Sequence, residues 1–245
     1  MRRSFSLAVP ILLLILLPVS LAQTPPDYRG VSIRAHGVFV TPVPDAPFSA
    51  TVEIVSKQMV DGSLTVIRTS TAHIARDAAG RIYNEMRAQV PPSFQGEPPL
   101  ISAHIYDPNT RLSTFLNPQT KLARQILLAR PMPQKSPEPD NEPKPGARLE
   151  KVENTGEQTL DGLHLEGVRK TWTVPAAASG TGTSVEIADL YWYSSDLTMY
   201  VLIQHDDPRT GEQIVALKDI RRTEPDASLF TIPANYRVVD ETPQR

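Results

Sequence analysis

The chain has no cysteine in 245 residues, which excludes disulfides, thiolate metal sites, a catalytic thiol and lipidation at an N-terminal cysteine. It also has no strong excess of charge: 25 Lys and Arg face 27 Asp and Glu, a formal −2. A nucleic-acid partner is therefore not expected, because nothing tracks phosphates. Aromatics are scarce, with two Trp, seven Tyr and six Phe. No G-x-S-x-G elbow and no G-x-x-x-x-G-K-[ST] loop occurs, so the common serine-hydrolase and nucleotide-binding signatures are missing. The only long apolar run, Leu7 to Val19, contains Pro10 and Pro18. At roughly 13 residues it falls short of the ~20 that span a bilayer.

That run follows Arg2 and Arg3 and exits through Ser20-Leu21-Ala22, the three-part layout of a cleavable secretory signal. Residues 1–22 are read as a signal peptide cut after Ala22, which leaves no transmembrane anchor and a periplasmic or secreted product. Losing both arginines makes the mature chain more acidic. Export without disulfides places stability in a packed core, and a chain of this size suffices for one.

What the sequence has in abundance is proline, 24 residues, which interrupts regular elements and argues against long helices. Between the prolines, alternation of period two recurs. Phe48, Ala50, Val52 and Ile54 alternate with Ser49, Thr51 and Glu53, the mark of a strand with one wet face. Asp61-Gly62 turns it into a second strand, Leu64 to Arg76, and Asp77 to Gly80 turns that into Arg81 to Val90. A short strand is also expected around Gly30 to Val40. Three segments share the pattern Asp/Asn-Pro-x-Thr followed by Arg, Lys or Gly, beginning at Asp107, Asn117 and Asp207. Each pairs a side-chain acceptor with a φ-locked proline and reads as a hairpin tip. The run 119–130 fits helix or strand, and a strand following the Asn117 turn is favoured.

Residues 131–147, PMPQKSPEPDNEPKPGA, cannot repay their ordering entropy and read as a linker or long exposed loop. Strands resume beyond them, with turns at Asp161-Gly162 and Ser195-Asp196 and a small-residue loop from Ala176 to Thr183. The expected fold is all-β: 23–245 as a single β-rich domain, one antiparallel sheet built from both sides of the proline-rich loop, with few short helices.

No cofactor or metal site emerges. The five histidines (His36, His73, His104, His164, His205) are scattered. His205-Asp206-Asp207 is the densest polar cluster, but alternation allows only His205 and Asp207 to share a face, and a solvated strand end accounts for it better. Trp172, Tyr191, Trp192, Tyr193 and Tyr200 concentrate much of the aromatic content in one stretch. They read as core or as the wall of an apolar ligand site, with core the commoner use of such positions.

The C-terminal stretch Asp219-Ile220-Arg221-Arg222 followed by P-D-x-x-L-F-x-I-P-x-x-Y at 225–236 resembles uncharacterised exported bacterial proteins. More distantly, it is similar to the lipoprotein-sorting superfamily of LolA and LolB. Gly162–Thr171 and the hairpin from Trp192 to Gly211 extend the likeness over about 150–238. The resemblance implies an open, curved half-barrel whose hollow holds a lipid or another apolar molecule. The amphipathic helices that close the hollow in that superfamily have no matching pattern here. The expectation is thus a non-enzymatic envelope binding protein. The alternative is an envelope structural or protein-interaction module with protein partners and no small ligand. N-terminal sequencing of protein recovered from the envelope or medium is expected to begin at Gln23, and a start at Met1 would refute cleavage.

Overall fold

The computed structural model describes residues 38–60, 64–129 and 150–243. Before the proline-rich segment come β1 (Phe48–Val60), β2 (Leu64–Arg76), β3 (Ile82–Arg87), β4 (Leu100–Asp107), β5 (Leu112–Asn117) and β6 (Leu122–Leu127). After it come β7 (Glu150–Leu160), β8 (Leu163–Val174), β9 (Val185–Ser194), β10 (Met199–Asp207), β11 (Gly211–Arg221) and the short β12 (Arg237–Asp240). All twelve lie in one sheet ordered β12-β6-β5-β4-β3-β2-β1-β11-β10-β9-β8-β7. The sheet is open and curved and does not close into a barrel.

Two meanders fuse to make it. The first steps outward from β1 to β6, and the second begins at the opposite edge with β7 and steps inward to β11. They meet where β11 pairs antiparallel with β1, from Ser49 opposite Arg221 to Gln58 opposite Gly211. β12 then adds beside β6 as the one parallel neighbour.

The three Asp/Asn-Pro-x-Thr segments are hairpin tips. Asp107, Asn117 and Asp207 each accept the backbone N–H two residues on, at 2.8, 3.0 and 2.9 Å. The fifth residue of each has positive φ: Arg111 at 61°, Lys121 at 51° and Gly211 at 108°. Each tip is a type I turn closed by a left-handed residue, with four residues between the paired ends at Asp107–Leu112 and Asn117–Leu122 and three at Asp207–Gly211. Only Gly fits the third tip, since a Cβ on Gly211 would lie 1.9 Å from the Lys57 carbonyl oxygen. The Ser194–Thr198 turn is a fourth version without proline, with Ser194 Oγ accepting from Leu197 N at 3.3 Å and Thr198 at φ 54°.

Some expectations need correction. Residues 38–40 are not strand; the rest of the strand expected at Gly30–Val40 lies outside the described residues, as do the signal segment, the Asp61-Gly62 turn and residues 131–147. β3 ends at Arg87, where its register with β4 shifts, and Val90 makes only an isolated bridge to Thr69 before Pro91 ends pairing. The small-residue loop begins with one helical turn, Ala176–Ser179, ended by left-handed Gly180.

Alternation gives the sheet an inner face, named for its buried side chains. Phe48, Ala50 and Val52 of β1 stand opposite Arg76, Ile74 and Ala72 of β2. Leu217, Val215 and Ile203 continue the buried apolar surface across β11 and β10. Over β2 to β6 the other face is covered by a strap, residues 222–236. The C-terminal motif is this strap: its Leu229, Phe230, Ile232 and Tyr236 pack on Ala75, Tyr83, Ala103, Leu116 and Ala123. Asp226 caps the 3-10 turn Ala227–Phe230 by accepting from Ser228 N at 2.9 Å. Small alanines on three strands let the strap lie close.

Arg76 is fully buried, at 0% exposure. Its guanidinium donates to the carbonyl oxygens of Ala46 (2.8 Å), Thr41 (2.7 Å) and Leu197 (3.0 Å) and lies 5.0 Å from the Phe48 ring centroid. Burial lowers its pKa. Arg76→Met keeps the bulk but leaves three carbonyls without their donor. At roughly 1 kcal/mol or more each, the expected loss in urea unfolding is about 3 kcal/mol, and a loss below about 1 kcal/mol would show that the carbonyls find other donors.

Candidate functional site

The five aromatic residues picked out in the sequence sit on β8, β9 and β10, which the register brings side by side. Three rings meet: Tyr200 stacks obliquely on Tyr191 at 5.4 Å and meets Tyr193 edge-on at 5.6 Å. A bulge in β10 between Tyr200 and Leu202 lets Tyr200 reach both. Trp172 lies 6.5 Å from the His205 ring. Trp192 stands opposite Leu202 and Gly167 and therefore points away from Tyr191 and Tyr193. Gly167 makes room for its indole, which a Cβ there would approach to 2.8 Å. The structure thus gathers three tyrosines, sets Trp172 further along the same sheet, and points Trp192 to the other side of β9, where it too packs against the buried core cluster. All but Tyr200 are partly buried, and Tyr200 is 46% exposed.

The polar neighbours of this wall are more ordered than a solvated strand end, and that expectation is overturned. His205 and Asp207 are both buried. His205 Nδ1 is 2.6 Å from Asp189 Oδ1, and the Tyr191 hydroxyl donates to Asp189 Oδ2 at 3.1 Å. Asp189 escaped the sequence reading because it lies on the neighbouring strand; alternation within β9 was the one available hint. Burial, then the Asp189 carboxylate, pushes the Tyr191 hydroxyl up to about 12. Burial pushes Asp207 up, but Arg209, bonded through Nε and Nη2 at 2.9 and 2.8 Å, holds it below the usual carboxylate range. Asp207 is therefore spent on its turn. An Asp-oriented imidazole is half of a nucleophilic dyad, yet among the described residues no hydroxyl bonds to His205 Nε2, and no group of three or more His, Asp or Glu is placed to hold a metal.

Two cavities lie elsewhere, and none of the five aromatics lines either. One of about 210 Å³ lies under the strap between Tyr83, Leu116, Leu229 and Tyr236. Beside it Glu85 accepts from Tyr83 Oη (2.8 Å), Arg87 Nε (2.6 Å) and His73 N (3.0 Å). Burial raises Glu85, and these donors more than offset it. The other, about 600 Å³, is lined by Ile126, Leu127, Leu128, Ala129 and Pro243 at the β6 edge.

No protein-family model and no curated protein matches the chain. Solved structures do. An uncharacterised conserved protein from Thermus thermophilus is similar over 80% of this chain and 91% of its own, at 12% identity and a TM-score of 0.41. The LolA superfamily protein from Nitrosomonas europaea is similar over 78% and 92%, at 11% identity and 0.30. The Mycobacterium tuberculosis lipoprotein LppX covers 72% and 88%, at 13% and 0.28. The distant LolA-like resemblance read from the C-terminal motif is met again among these fold neighbours.

On the side of β1 away from the aromatic wall, the inner face runs through Ile74 and Asn84 into β4 and β5, where His104 stacks on Phe115 at 4.5 Å and its Nε2 lies 2.8 Å from Ser113 Oγ. Burial holds the His104 pKa below its ordinary 6.5. The unfolded chain thus takes up the proton first, so stability is intact above pH 6.5 and falls as pH drops through the folded value. Urea midpoints measured from about pH 8 to 5 are expected to decline in the wild type and to decline less in His104→Gln. Equal declines would assign the acid sensitivity to another group.

Proposed function

We propose that this chain is an exported, non-enzymatic binding protein of the cell envelope that holds a lipid or other apolar ligand against the inner face of its sheet. The observation that carries the reading is the apolar surface running across β2, β1, β11 and β10 through Ala72, Val52, Leu217, Val215 and Ile203. These side chains are buried, 1 to 5% exposed, and Val40 and Leu197 pack with them, so a ligand held here enters by displacing that cover. Tyr191 of β9 packs at one side of the same surface. Binding of this kind needs no catalytic constellation. Burying sixteen methylenes at ~0.8 kcal/mol each yields ~13 kcal/mol, against an association cost of ~4 to 15 kcal/mol. The small surplus suits a ligand that is taken up and released.

A second reading, an interaction module, is favoured by β7. This edge strand is exposed at every residue from Glu150 to Leu160 and offers an unpaired backbone row among the described residues.

Protein purified from the envelope without detergent, extracted and analysed by mass spectrometry, is expected to release a stoichiometric apolar molecule. After delipidation it is expected to bind a fluorescent sixteen-carbon fatty acid saturably, and Ile54→Asn to weaken that binding at least about fivefold while the thermal transition remains. An empty extract together with no saturable binding would reject the carrier reading and leave the β7 edge.

A further inference from the structure

The strap and the sheet beneath it do not meet everywhere. Between them lies the cavity of about 210 Å³, walled by Tyr83, Ala103 and Leu116 of β3, β4 and β5 and by Leu229, Pro233 and Tyr236 of the strap. The register accounts for the sheet side: Glu85 stands opposite Ala103, Ala103 opposite Leu116 and Leu116 opposite Ala123. Two alanines thus flank Leu116 in one row, and Tyr83 reaches in from the row beside it. The walls are apolar and the volume sets a scale, since a cavity of roughly 150 Å³ lined by Leu, Ile and Phe holds benzene. The space under the strap admits one ring with a second fused to it.

The polar atoms around this space are biased in one direction. A hydroxyl carries one proton and two lone pairs. Tyr83 is buried, and its Oη donates to Glu85 Oε1 at 2.8 Å. Burial raises Glu85, but Arg87 Nε at 2.6 Å, His73 N at 3.0 Å and the tyrosine together hold its carboxyl below the ordinary range, so it only accepts. Burial and that carboxylate push the Tyr83 hydroxyl above its ordinary value, which keeps its proton in place. Thr231 Oγ1 donates to the Ser228 carbonyl at 2.9 Å, and the Ser228 side chain bonds to the Asp226 carboxylate. Of the four hydroxyl-bearing side chains at the cavity, these three have committed their protons and offer only lone pairs; Tyr236 is the fourth. Ser228 and Thr231 are exposed to water, and Tyr83 is not. A guest that meets Tyr83 Oη must therefore bring the proton.

We infer that the cavity is a second binding site, for a small aromatic molecule of one or two rings that carries an N–H or O–H, with that donor bonded to Tyr83 Oη. Tyr83 and Ala103 point to the face opposite the inner one, so the inference does not depend on the function proposed above. Indole and the phenols have the required chemistry. A tryptophan or tyrosine side chain shares it, but the strap lies over the space, and a ring borne on another polypeptide would have to bring its backbone past that cover.

The test titrates the protein with indole and with benzothiophene, which has the same shape and no donor, and follows the Ala103 and Leu116 methyl signals by NMR. Both are expected to shift those signals, indole with about fivefold the affinity, the return on one hydrogen bond. Tyr83→Phe is expected to remove the difference and leave benzothiophene unchanged, whereas Thr231→Val keeps it. Ala103→Leu is expected to abolish binding of both probes, and Leu229→Phe, made in the more exposed strap, to do the same where the sheet variant does not fold. Equal affinities in the wild type would overturn the donor requirement, and a preference that survives Tyr83→Phe would overturn the role of Tyr83. No shift at Ala103 and Leu116 with either probe would overturn the site. Tighter binding of N-acetyltryptophanamide than of indole would overturn the free molecule in favour of a partner's side chain. None of these outcomes bears on the inner-face reading, which fatty-acid binding decides separately.

Discussion

A guanidinium removed from water and answered by carbonyl oxygens holds the centre of this protein in register. Arg76 ends β2, and its three acceptors belong to the segment entering β1 (Thr41, Ala46) and to the β9–β10 turn (Leu197). Those segments are far apart in sequence, and a buried carbonyl left without this donor costs more than a formed bond returns. The arrangement therefore acts as a condition that all three satisfy together. Phe48 under the same guanidinium begins the buried apolar face, so the fixing of β1 and the start of the core coincide.

From that point the architecture follows from pairing. With β1 and β11 side by side, each of their other neighbours is the next strand in its own meander, and hairpin tips of one design enforce the order. The strap serves the outer face of β2 to β6 in the same way that the Arg76 contacts serve the inner one: Phe230 lies under Arg81 at 5.1 Å, and Tyr236 under Lys121 at 5.2 Å. Cations on the rim thus cover the aromatic anchors of the strap.

Local chemistry is readable in the sequence and cross-strand chemistry is not. Asp107, Asn117 and Asp207 announce their turns because acceptor, proline and left-handed residue all lie within five positions. Strands β1 and β2 are legible because Phe48, Ala50 and Val52 alternate with polar neighbours. The run 119–130 resolves as a strand because Leu122–Leu127 has β5 on one side and β12 on the other, a circumstance that periodicity alone does not carry. β12 itself, four residues with two valines between charges, has no signal apart from its partner. The aromatic stretch is visible as a group but not as a split group, since Trp192 leaves it by simple alternation. The Asp189–His205 bond depends wholly on register, and register is set by turns and bulges along the whole meander.

The seam between β1 and β11 has one further consequence. Apart from the short β12 laid beside β6, it is the only backbone ladder among the described residues that joins the two halves, while β6 and β7, which are consecutive in the chain, lie on opposite sides of the sheet. Cutting the polypeptide between β6 and β7 would leave two complementary fragments, each retaining its own hairpins and each presenting one naked central strand to its mate. The molecule is in this sense a non-covalent heterodimer written as a single chain.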